Sequence, residues 1–161
     1  MSRTVGDLYL EAVTRNFRGL RSYAERALEQ LSDDQLHAAP DPHSNTIAIL
    51  MKHLAGNMRS RWTDFLTTDG EKPDRNREME FEKRLESREE LLAVWNDGWT
   101  RLLEALASLK EDDLGRDVTI RGETHSVVLA LNRAVQHYAY HVGQILYLAK
   151  HLAGEKWNPL S

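Results

Sequence analysis

Apolar residues recur every three or four positions along four stretches of this chain, the period of helices that bury one face. Residues 7–31 place Leu8, Leu10, Val13, Phe17, Leu20, Tyr23, Ala24, Ala27, Leu28 and Leu31 at that spacing. A second run follows the capping types Ser44, Asn45 and Thr46 and carries Ile47, Leu50, Met51, Leu54, Met58, Trp62 and Phe65, ending near Thr68 ahead of Asp69-Gly70. Ser87 with Glu90 forms a capping box that opens a third helix through Leu91, Val94, Trp95, Trp99, Leu102, Leu103, Leu106 and Leu109. The fourth runs from about Ser126 to His151 through Val127, Leu131, Val135, Tyr138, Val142, Ile145 and Ala149, with Gly154 as its stop. Helices of about 25 residues are close to 37 Å long. The pattern predicts an all-α fold, a four-helix bundle in one domain over 1–161.

The connections are unequal. Residues 69–86 are charged, contain Pro73 and show no apolar period, and fully extended they reach about 55–60 Å. That is enough to run the length of a bundle and start helix 3 parallel to helix 2, so a long crossover is expected between two hairpins. Its basic residues Arg75, Arg77, Lys83 and Arg84 are read as solvated. Ahead of helix 4, Asp117 to Thr124 alternates and turns at Gly122, which suggests a small β-hairpin. A short internal repeat accompanies this layout: Leu31 to Leu36 (LSDDQL) and Leu109 to Leu114 (LKEDDL) each precede a His-Ser pair and then a long helix bearing histidine.

Composition narrows the function. A net charge of −4 with both signs interspersed offers no broad positive field for nucleic acid or anionic lipid. The N-terminal residues lack the apolar core of a signal peptide, and no stretch approaches the ~18 apolar residues needed to span a bilayer. No nucleic-acid or membrane partner is expected, and the cytoplasm is the expected location. The absence of cysteine removes disulfides, thiolate metal sites and a cysteine nucleophile, so any metal must be held by nitrogen and oxygen.

Candidate chemistry lies with the histidines. His137 and His141 are four apart on the fourth helix, so their imidazoles leave the same side one turn apart, as two ligands of one ion require. The same spacing suits two partly buried structural histidines. Aligning the repeat on His53 and His137 sets Asn57 opposite His141 and places the two pairs across a pseudo-two-fold axis. His53, Asn57 and Arg61 form a stripe beside the main apolar face of helix 2. Three neutral imidazoles suit Zn²⁺ or Ni²⁺ and leave coordination positions open. Asn57 can orient a substrate or a ligand, or make an interhelical hydrogen bond; Gln144, near the stripe of His137, has the same two roles open to it. His37, His43, His125 and His151 read as structural, as do Trp62, Trp95 and Trp99. Leu129, Tyr140 and Tyr147 share the back of helix 4, away from the histidines, and a second apolar face suggests a symmetric dimer.

The segments His53 to Trp62 (HLAGNMRSRW), Asp64 to Lys72 (DFLTTDGEK) and Asn132 to Gln144 (NRAVQHYAYHVGQ) together resemble the DinB/YfiT-like metalloenzyme superfamily, and more narrowly a bacterial branch of unknown function within it. The resemblance runs over nearly the whole chain. It implies a four-helix bundle with a long crossover, frequent dimerisation, and a zinc or nickel ion bound by one histidine of helix 2 and an HxxxH pair of helix 4, positions held here by His53, His137 and His141. Relatives of this kind include transferases of low-molecular-weight thiols and a thiol-dependent isomerase. The resemblance therefore implies a metal-dependent thiol S-transferase acting on a small molecule, with the thiol as co-substrate. A metal-dependent hydrolase and a non-enzymatic bundle that binds a metal or a small ligand are the alternatives.

Overall fold

Side-chain caps start the long helices where the sequence places capping residues. Thr4 and Asp7 form a reciprocal box at the head of α1 (Val5–Leu28), and Ser32 with Gln35 does the same for the single turn α2 (Asp33–Leu36). Thr46 accepts from the Ile49 amide to open α3 (Ile47–Trp62), and Asn76 caps the short α4 (Arg77–Glu80). The Ser87–Glu90 box opens α5 (Arg88–Ser108). After a 3-10 turn at Glu111–Asp113, strands β1 (Asp117–Ile120) and β2 (Glu123–Ser126) pair antiparallel, and Ser126 caps α6 (Val127–Ala153). Gly154, at φ 56°, ends α6 in a backbone conformation that glycine tolerates best.

This computed structural model describes residues 3–160, so the expected domain span of 1–161 reaches three residues outside the described ones. Among the described residues the chain is mostly helical, with six α-helices and one two-stranded sheet, an architecture compatible with an all-α bundle. No described helix is long and apolar enough to cross a membrane.

Two expected helix ends move. The first long helix stops at Leu28, short of Leu31, and the separate turn α2 follows beyond the expected end. The second stops at Trp62, short of Thr68, because Thr63 is extended and Asp64 takes φ 47°. Phe65 is nevertheless buried and packs on Trp62 with ring centroids 4.6 Å apart, so the apolar period reads on past the end of the helix.

α3 packs chiefly on α5, and α1 on α6. Lys52, early in α3, bonds Glu86 just ahead of α5, while Arg101, well along α5, reaches Thr63 at the end of α3, so contacts advance in the same sense along both helices. Gly98 makes their approach possible: a Cβ there would stand 3.0 Å from the Ala55 Cα. Trp95, Trp99, Tyr138, Phe17, Leu54 and Met58 are fully buried and form the centre of the core. α3 is covered on nearly every side, and His53, off the centre of its apolar face, is buried with it.

Residues 69–86 depart from the expected solvated crossover. Gly70 donates its amide to Thr119 of β1, and the Asp69 carboxylate accepts from the amides of Glu71, Arg121 and Gly122. Arg121 and Gly122 form the hairpin turn with φ 56° and 76°, the positive-φ pair of a tight two-residue loop. The Arg75 side chain is 4 % exposed and Glu80 of α4 is buried, whereas Arg77, Lys83 and Arg84 lie in the open as expected.

Candidate metal centre

α3 presents His53, and α6 presents His137 and His141 from successive turns. One ligand nitrogen from each lies within 4.8 Å of the other two. His53 is buried and the other two are half-buried. His53 Nε2 and His137 Nε2 are 3.3 Å apart. Two imidazoles bound at 2.0–2.1 Å and tetrahedrally disposed place their nitrogens about 3.3 Å apart, so this spacing fits one ion.

Two of the outer nitrogens are tied down. His53 Nδ1 donates to Glu80 Oε2 at 2.9 Å, which turns Nε2 inward as a bare lone pair. Arg75 grips the same carboxylate through Nε at 2.8 Å and Nη2 at 2.9 Å, and also pairs with Glu71. His141 Nδ1 donates to Gln144 Oε1 at 2.7 Å and likewise frees its Nε2. Phe81 packs on the His53 ring at 4.9 Å, and Arg77 lies over Phe81.

The surroundings of His137 and His141 disfavour their charged forms. Burial, reinforced by His141, His53, Arg61 and Arg75, lowers the His137 pKa to about 3. Burial also lowers that of His141, with the Gln144 hydrogen bond opposing and His53 adding to the effect. At Glu80, burial works against the charge, but the hydrogen bonds from His53 and Arg75 outweigh it and hold the carboxyl below its usual range. Unprotonated imidazoles beside an oriented carboxylate are what a cation requires. The three histidines can therefore hold a metal ion.

Asn57 makes the interhelical hydrogen bond, and its direction is determined. Indole N–H can only donate, so Trp62 Nε1 donates to the Tyr138 hydroxyl at 2.9 Å, and that hydroxyl must give its own proton to Asn57 Oδ1 at 2.8 Å. The Asn57 amide nitrogen is left over as a donor, and Asn57 lines a cavity of about 740 Å³ that opens over the histidines.

Several features of this cavity escape the sequence pattern. Glu80 comes from a four-residue helix in a segment without apolar period, and Gly56 of α3 makes room for it, since a Cβ there would overlap its carboxylate. His125, read as structural, lies in β2, lines the cavity, and accepts from Arg133 at 2.6 Å while donating Nδ1–H to the Glu123 carbonyl. It stands outside the ligand group. Tyr140, expected on the far side of α6, lines the same cavity with its ring 4.9 Å from His141. His37 bonds the Glu86 carbonyl, and His43 and His151 are exposed.

Fold and site together define a mostly helical protein with a three-histidine group able to hold a metal ion. The chain belongs to the family described as "Protein of unknown function (DUF1572)", which it matches over residues 4–161. A crystal structure of a conserved protein from Enterococcus faecalis is similar in fold, with a TM-score of 0.68 at 16% identity over 96% of this chain and 100% of that one. No curated protein matches the chain.

Proposed function

We propose that this protein is a metal-dependent enzyme that transfers a low-molecular-weight thiol onto a small electrophile, using zinc or nickel held by His53, His137 and His141. In this reading the four long helices form a DinB/YfiT-like bundle in which residues 69–86 are the crossover from α3 to α5. The observation that carries it is the convergence of three imidazole nitrogens within 4.8 Å, with the His53 ring oriented by Glu80. A divalent ion there supplies Lewis acidity and lowers the pKa of a thiol brought to it. The chain's own residues do the rest: Glu80 and Gln144 orient two ligands, Asn57 offers an amide donor to the substrate, and Phe81 shields His53 from water. The thiol sulfur forms a bond to the electrophilic carbon as the leaving group departs, and the thiol proton passes to solvent.

Leu129 and Tyr147 are 47% and 81% exposed on α6, which supports a homodimer through that helix. Neither nucleic acid nor membrane is a partner in this reading.

Protein purified without a histidine tag should carry one equivalent of zinc or nickel. With monochlorobimane as electrophile it should consume one of bacillithiol, mycothiol, glutathione or coenzyme A, with chloride released. His53→Ala should abolish both metal and turnover. Silence across the thiols and across ester, amide and phosphoester panels would sink the enzyme reading, and a melting temperature that falls only in step with metal loss would favour a binding bundle.

A further inference from the structure

The cavity over the histidines is basic, although the chain as a whole carries −4. Arg61, Arg75, Arg77, Arg121 and Arg133 line it, against one acid, Glu123. Arg75 is neutralised by Glu71 and Glu80, and Arg121 makes only a long contact to Glu71 at 3.4 Å. Arg61 is different. It is half-buried, and its Nε donates to the Gly70 carbonyl at 3.2 Å. Among the described residues its two terminal nitrogens have no hydrogen-bond partner and no carboxylate pairs with it. A half-buried guanidinium costs desolvation, and that cost is usually met by an anion.

Position adds to this. His53, Asn57 and Arg61 follow at four-residue spacing along α3, so they share one face and all three line the cavity. The order along the helix is metal ligand, free amide donor, free guanidinium. Arg61 stands two turns beyond His53, about 12 Å in helical rise. Whatever group it binds is separate from the end of the molecule that meets the ion. The cavity size, about 740 Å³, suits a small molecule rather than a polymer.

We propose that this cavity binds a small-molecule anion, with the terminal nitrogens of Arg61 and the Asn57 amide forming the subsite for a carboxylate or phosphate group remote from the metal. The planar fork of Arg61 matches either oxyanion with two parallel hydrogen bonds. Arg133, anchored through His125, and Arg121, set on the hairpin turn, supply further positive charge. The inference rests on the proposed reading of the site as an enzyme centre and names the chemical class of its substrate or thiol co-substrate.

Isothermal titration of the zinc-loaded and the metal-stripped full-length protein with glutarate, phenyl phosphate and the neutral control glutaramide tests it. One of the two anions should bind and the amide should not, the stronger anion telling carboxylate from phosphate. Arg61→Gln should weaken that binding at least tenfold and Arg61→Lys less, while both variants retain one equivalent of zinc and the wild-type melting temperature. Should loss of the Gly70 contact unfold the Arg61 variants, Arg133→Gln, on an exposed side chain, should weaken binding by a smaller factor. Binding of neither anion at millimolar concentration, equal binding of glutaramide, or an Arg61→Gln constant within twofold of wild type overturns the proposal. Zinc retained without anion binding defeats this subsite alone, whereas anion binding by a protein that takes up no metal defeats the metal reading and leaves the subsite standing.

Discussion

At the scale of single residues, the site depends on groups that never touch the ion. Glu80→Gln keeps the shape of the side chain but removes the charge facing His53 Nδ1, and zinc affinity should fall roughly 10- to 100-fold in a chelator-competition titration. An unchanged affinity would deny Glu80 an orienting role. The imidazoles also tie stability to pH. His137 has a folded pKa of about 3 against an ordinary 6.5, so between those values the unfolded chain binds the extra proton and folding weakens as pH falls. Glu80, with its pKa lowered, contributes stability that is likewise lost as pH drops below the ordinary carboxyl range. Metal-free wild type should therefore lose urea resistance from pH 7 to pH 5, and His137→Gln should lose less. Two tryptophans give a paired test: Trp62 Nε1 has Tyr138 as acceptor, whereas Trp99 Nε1 is buried with no partner among the described residues. Trp62→Phe should sacrifice a hydrogen bond that Trp99→Phe does not, a difference of about 1 kcal/mol in urea unfolding once volume loss is matched. His137 and His141 were legible because helical period fixes which side chains share a face, whereas His53, beside the main apolar face of its helix, was singled out by the internal repeat and the family resemblance. Glu80 was not, since it stands 27 residues from His53 in a segment whose fold is set by tertiary ion pairs rather than by local pattern.

Among the elements, caps proved the most readable signals: Thr46, Ser87 and Ser126 each start a long helix. The repeated LSDDQL and LKEDDL segments both form a short helical turn, at Asp33–Leu36 and Glu111–Asp113. Helix ends were less readable, because Phe65 packs on Trp62 from outside the helix and mimics its continuation. The hairpin was visible in its alternation and at Gly122, but its attachment to Asp69 was not, as that contact joins residues more than fifty apart in sequence. Asp69→Ala removes three charge-assisted bonds to backbone amides, and by analogy with a lost helix cap it should cost about 1–2 kcal/mol of stability. It should also raise amide exchange at Arg121 and Gly122 before it does so in the long helices. Uniform exchange across the chain would show that the hairpin is held by something else.

For the whole molecule, assembly and field are the properties at issue. If α6 forms a dimer face, light scattering should report twice the mass of the 161-residue chain. Tyr147→Lys should yield a monomer with unchanged helicity, and a wild-type monomer at tens of micromolar would remove that interface. The basic cavity inside an acidic molecule has a kinetic consequence. An approaching anion meets repulsion from the net −4 at long range and attraction from the arginines within about a Debye length, ~8 Å at physiological salt. Added salt weakens both, so the rate of anion capture should change little with ionic strength, where a uniformly basic protein would show a steep decline.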